Sequence, residues 1–199
     1  MKTTSVKYQT KKDCLWYRNW IEQFPIDCQN QVVNNKKVDI KTPNNLVIQF
    51  QHSNITPERQ KDIETMYKDM LWVVDGTRLK TEYSRFEKGI KEYSKELFKF
   101  KGNFRLLAIS SYDKVLPKNW INCSFPVVFD FLGESDKSTA FQKNLYFLLP
   151  RKEVKPDENS AYLFCLPRKN FSSFVRLSDW IDFYPKLLST IDKMQTEKK

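Results

Sequence analysis

Lys36 to Ser53 reads KKVDIKTPNNLVIQFQHS, and its alternation decides the fold. Val38 and Ile40 before the Pro43-Asn44-Asn45 turn, and Ile48 and Phe50 after it, recur at every second position. That is the period of a strand with one buried face. A three-residue loop sets Thr42 opposite Leu46. The same register puts Asp39 opposite Gln49 and Lys37 opposite Gln51, with Val38, Ile40, Ile48 and Phe50 together on the core side. The other face then gathers Asp39, Gln49, Gln51 and Lys37 within cross-strand reach. From the residues alone, this face is either the solvated side of an amphipathic hairpin or a site.

Upstream, DCLWYRNWIEQF (13–24) spaces Trp16, Trp20 and Phe24 four residues apart, which predicts a helix stopped at Pro25. Its aromatic stripe reads as core rather than as a platform for stacking bases. QVVN (31–34) and KVDIK (37–41) read as strands about an Asn34-Asn35 turn. Downstream, Thr56 is an N-cap and Pro57 a first helical residue, with Ile63, Met66, Tyr67 and Met70 as the buried face. LWVVD (71–75) is the next strand.

Lys80 to Lys101 predicts one long amphipathic helix. Phe86, Ile90, Tyr93, Leu97 and Phe100 fall on one side and Lys88, Lys91, Lys95 and Lys99 on the other. That lysine stripe is either a track for a phosphate backbone or an ordinary solvated face. FRLLAIS (104–110) and FPVVFDF (125–131) are further strands. LYFLLPRK (145–152) and YLFCLPRK (162–169) predict a hairpin with Arg151, Lys152, Arg168 and Lys169 together at one end, and a last helix bends near Pro185. The expected fold is α/β, a mixed sheet flanked by helices. Residues 1–131 form the core, and residues 132–199 a hairpin-plus-helix extension packed on it.

The 199 residues carry a net charge of +10, which favours polyanionic partners, nucleic acid first. Cys14, Cys28, Cys123 and Cys165 lie far apart with one histidine in the chain, so a zinc site is not expected. The cysteines read as reduced and buried, in a cytoplasmic protein. No run approaches the roughly 20 apolar residues of a membrane span, and the N-terminal stretch has no secretory apolar region. Phosphate-cradling glycine motifs and a serine triad are not legible.

The run K-V-D-I…VIQFQHSNITPE…Y…MLWVVDGT, with the upstream Trp16, Trp20, Phe24 and Pro25, resembles the N-terminal nuclease-like domain of the competence protein CoiA-like family. Those proteins are relatives of the PD-(D/E)XK restriction-endonuclease fold. The resemblance covers about residues 13–78. It implies a PD-(D/E)XK core and Mg²⁺-dependent cleavage of DNA, with Mn²⁺ as an alternative metal. It makes Asp39 the metal-binding aspartate and puts Gln49 where most members carry a second acidic ligand. Gln51 matches the glutamine that replaces the superfamily's lysine, and Tyr17 stands where the family tends to have histidine. His52, at the end of the strand, either orients a phosphate or has a structural role. With Gln49 for Glu, metal affinity and water activation are expected to fall. The rival expectation is a catalytically inactive module that keeps the fold and binds nucleic acid or a partner protein. The oligomeric state is not legible.

Overall fold

The computed structural model describes residues 14–78, 80–132, 139, 141–177 and 179–197. The N-terminal Met1 to Lys12 stretch and the last two lysines, part of the expected tail, lie outside them. In chain order the strands are β1 Val32–Val33, β2 Lys36–Lys37, β3 Ile40–Lys41, β4 Val47–Gln51, β5 Met70–Asp75, β6 Ser94–Lys99, β7 Arg105–Ile109, β8 Val127–Asp130, β9 Asn144–Leu148 and β10 Ala161–Pro167. The helices are α1 Leu15–Ile21, α2 Pro57–Glu64, α3 Lys80–Tyr93, α4 Tyr112–Val115, α5 Arg151–Val154, α6 Phe171–Arg176 and α7 Asp179–Thr196.

Among the described residues, β3 to β10 form one eight-stranded mixed sheet in the order β3-β4-β5-β8-β9-β10-β7-β6. β4, β5 and β8 are parallel neighbours, and the remaining pairings are antiparallel. Residues 132–199, expected as an extension, contribute β9 and β10 between β8 and β7 of this same sheet.

Alternation along the strands feeds two cores. Ile40, Ile48, Phe50, Leu71, Val73 and Val128 pack under α1, α6 and α7. Val47, Trp72, Val74, Val127 and Phe129 pack on the opposite side with Ile55, Phe86, Val115 and Trp120. Val38 joins this second core, so it does not share a face with Ile40, Ile48 and Phe50. The chain changes face between them because regular pairing with β4 begins only at Ile40.

The expected hairpin register holds where the ladder exists: Ile40 faces Ile48 and Lys41 faces Val47. Thr42 N–H donates to Leu46 O at 2.9 Å, and Asn45 closes the loop at φ 65°. Before Ile40 the strand leaves the sheet. Lys37 pairs with Val32 in the small β1-β2 hairpin rather than facing Gln51. Asn34 and Asn35, both at positive φ, make the tight turn of that hairpin.

The single helix expected over 80–101 ends at Tyr93, and Ser94–Lys99 is the edge strand β6. Its register shifts between Glu96 and Phe98. The bulge lets Ser94, Leu97 and Phe100 face inward at every third residue, which imitates helical spacing. Lys95 and Lys99 therefore do not continue a helical stripe from Lys88 and Lys91.

α2 follows the expected start, with Thr56 Oγ1 accepting from Arg59 N–H, but it stops at Glu64 and Met70 opens β5. Its buried residues are the polar Gln60 and Glu64. Glu64 accepts from Trp72 Nε1, Ser124 N and Gln60 Nε2 at 3.0 to 3.1 Å, so its buried charge is satisfied. The 145–169 hairpin forms, but Arg151 and Arg168 lie at opposite ends of it. Arg151 donates to Ser160 O, whereas Arg168 N–H bonds Lys143 O. The last helical stretch breaks between α6 and α7, and Pro185 sits inside α7.

α1 is fastened by chemistry as well as packing. Asp130, fully buried at the end of β8, accepts from the indole N–H groups of Trp16 (3.0 Å) and Trp20 (2.9 Å). Arg168 Nε lies 3.2 Å from both Asp130 oxygens, and its guanidinium sits over the Trp20 ring at 4.3 Å. Both tryptophans are thus core residues with their polar edges paired.

Candidate functional site

β4 carries Gln49 and Gln51 on the face that receives α2, and Asp39 stands where the chain turns into β3. Together they line an open cleft of about 600 Å³ walled by Tyr17, Tyr67 and Trp72. Lys36, Lys37 and Arg59 stand around it, with Asp62 of α2 as a second carboxylate. The sequence-predicted Asp39, Gln49, Gln51 and Lys37 therefore share one cleft, although Lys37 arrives from β2.

Asp39 is buried, and both of its oxygens are engaged. Tyr17 donates its hydroxyl to Oδ1 at 2.9 Å, and Phe50 N–H donates to Oδ2 at 2.8 Å. The carboxylate takes the place of a ladder partner just before β3 begins. Burial pushes the Tyr17 hydroxyl far above its ordinary pKa, and the Asp39 charge adds to this, so Tyr17 stays a neutral donor. Tyr67 is raised mainly by burial. A hydrogen bond with Gln49 opposes that shift, and the Asp39 charge reinforces it. Gln51 Nε2 donates to Ser53 O at 2.5 Å.

Mg²⁺ prefers near-octahedral oxygen ligation through one or two carboxylates, water and substrate phosphates. The oxygen donors here are the inward Asp39 carboxylate, each of whose oxygens already accepts one hydrogen bond, Asp62 of α2, and two glutamines engaged by Tyr67 and Ser53. Among the described residues, no group of three or more His, Cys, Asp or Glu side chains is arranged to hold a metal.

His52 does not line this cleft. Its Nδ1 lies 2.7 Å from Asp75 Oδ2 at the end of β5, and its ring stacks on Trp16 with centroids 6.0 Å apart. Lys88, Lys91, Lys95 and Lys99 do not line it either, and Lys91 pairs with Glu87 at 3.0 Å. Sequence reasoning missed the cleft roles of Tyr67, Arg59 and Lys36. The signal for Arg59 and Tyr67 was position, within the segment that crosses from β4 to β5.

No helix of the described residues is long and apolar enough to cross a membrane. Comparison of the chain with protein-family models, curated proteins and solved structures gave no match.

Proposed function

We propose that this chain is a nucleic-acid-binding protein built on a PD-(D/E)XK-type core, in which the ancestral hairpin site binds the polyanion without cutting it. The observation that carries this reading is the state of Asp39. The carboxylate expected to hold a metal accepts from Tyr17 and from Phe50 N–H, while Gln49, which lines the same cleft, is neutral. Besides Asp39, held by these two bonds, the cleft offers amide donors and acceptors, the exposed cations Lys36, Lys37 and Arg59, Asp62, and tyrosine rings. These groups recognise phosphates and base edges rather than activate water. The order helix, hairpin, α2, parallel β5 also agrees with a nuclease-type core.

A second reading, Mg²⁺-dependent phosphodiester hydrolysis of reduced rate, is favoured by the convergence of Asp39, Gln49 and Gln51 on one cleft. One experiment separates the two. Purified protein is mixed with labelled single- and double-stranded DNA and RNA, with Mg²⁺, Mn²⁺ or chelator. Saturable binding that chelator leaves unchanged, with intact strands, supports the module. Metal-dependent cleavage that Asp39→Asn abolishes supports the enzyme. Absence of binding to all four substrates refutes both.

A further inference from the structure

Beside the hairpin cleft, and sharing Gln51, Ser53, Asn54 and Ile55 with it, lies a smaller one of about 220 Å³. It opens past the ends of β4 and β5, against α3 and the turn that follows Pro117. We infer that this second cleft is a phosphate-binding subsite formed by His52, Arg78, Arg85 and Lys118.

Three of the four groups are held by a partner outside the cationic set. Asp75 accepts from Thr77 N–H (2.9 Å) and Thr77 Oγ1 (2.6 Å), and faces His52 Nδ1 at 2.7 Å. A carboxylate only accepts, so Nδ1 carries its proton toward Asp75. Nε2 is then left with a lone pair when the ring is neutral and a second N–H when it is protonated. Stacking on Trp16 fixes the plane of the ring. Arg78 donates to Asn54 Oδ1 at 2.9 Å, which places its guanidinium on the cleft wall. Arg85 donates to Leu116 O at 3.3 Å, yet its Nε is buried and has no hydrogen-bond partner among the described residues.

Arg85 also lines the cleft, so its guanidinium charge adds to that of Arg78 and Lys118 there. The two carboxylates of the cleft are Asp75, already committed to His52 and Thr77, and Glu82, one turn before Arg85 on α3. Against them stand two guanidiniums and the ammonium of Lys118, so the uncommitted charge is positive. A phosphate group, with several acceptor oxygens and planar guanidiniums to match, is the anion this set suits best. This inference extends the nucleic-acid reading, in which the phosphate belongs to a strand lying across the Gln51–Ile55 segment. Its source is either an internal phosphodiester or a terminal phosphate monoester.

The test uses the full chain and inorganic phosphate, followed through the arginine Nε–H resonances. Phosphate should shift the Arg85 Nε–H signal saturably. The exposed pair Arg78→Gln and Lys118→Gln, which leaves the core intact, should weaken that binding by about tenfold or more. Oligonucleotides with and without a terminal phosphate then distinguish the sources. Preference for the phosphorylated end identifies a monoester, and equal affinity that falls in the double variant identifies an internal diester. An Arg85 Nε–H signal unmoved by phosphate, or one that moves equally in wild type and double variant, overturns the subsite. Phosphate binding by a protein that binds no nucleic acid upholds the subsite and refutes the nucleic-acid reading alone.

Discussion

Tyr17 and Asp39 are joined by a 2.9 Å hydrogen bond between the first helix and the start of β3. The bond ties α1 to the hairpin at a position where the family resemblance expects a metal ligand. Tyr17→Phe removes the donor and keeps the ring. It should cost about 1 kcal/mol in urea unfolding, the usual net worth of such a bond. Because it releases one Asp39 oxygen, Mg²⁺ binding by calorimetry should be stronger in Tyr17→Phe than in wild type. Unchanged stability and unchanged metal binding would mean that the bond holds nothing.

Asp130 supports α1 from the other side. Asp130→Ala strands two indole N–H groups and leaves Arg168 without its carboxylate. Removing one partner of a buried ion pair costs about 3–5 kcal/mol, a large part of the stability of a domain this size. Urea denaturation should show that loss, with tryptophan fluorescence reporting the release of Trp16 and Trp20. A cost below about 1 kcal/mol would contradict the anchoring role.

Alkaline pH should destabilise the fold through buried thiols. Burial in the core pushes the Cys165 thiol up to about 12, with Arg105 pulling the other way. A raised pKa stabilises the folded state fully below the unfolded value near 9. That contribution is lost as pH rises from there through about 12. Unfolding free energies measured from about pH 8 to 11 should fall more steeply in wild type than in Cys165→Ala, by up to about 1.4 kcal/mol per pH unit. Parallel slopes would show that the thiol does not titrate with unfolding.

The salt dependence of nucleic-acid binding should follow the cleft cations. Neutralising Lys36, Lys37 and Arg59 together should flatten the slope of log affinity against log salt by about 2 to 3. Neutralising Lys88, Lys91, Lys95 and Lys99 should change it by less, since β6 removes the last two from the α3 face. The reverse order would locate the phosphate contacts on α3 and the sheet edge.

Legibility followed sequence distance. The Ile40–Ile48 register could be read because alternation and a short loop fix it locally. Trp16 and Trp20 could be read as core for the same reason, being one helical turn apart. The departure at Asp39 could not. Its carboxylate replaces a strand partner, a substitution that hydrophobic period does not encode. Ser94–Lys99 was misread because a bulged edge strand brings Leu97 and Phe100 inward at a spacing that a helix also satisfies. The pairs Asp130–Arg168 and His52–Asp75 join separate elements. Only the strand order brings them together, so the second cleft was invisible, although His52 itself had been singled out.

Gln49→Glu probes what the hairpin has lost. A further carboxylate in the cleft with Asp39 should raise Mg²⁺ affinity and weaken nucleic-acid binding in the absence of metal, through repulsion of phosphate. Calorimetry and binding assays on the same preparation check both. An unchanged Mg²⁺ affinity would place Gln49 outside reach of any ion near Asp39.

The most direct measurement is strand integrity under binding conditions. Wild type and Asp39→Asn are held in excess over end-labelled DNA and RNA with Mg²⁺ or Mn²⁺, and the strands are sized after long incubation. Binding without hydrolysis predicts intact strands with both proteins and equal retention with and without chelator. Metal-dependent fragments made by wild type and absent with Asp39→Asn would contradict it and restore the hairpin as a working nuclease site.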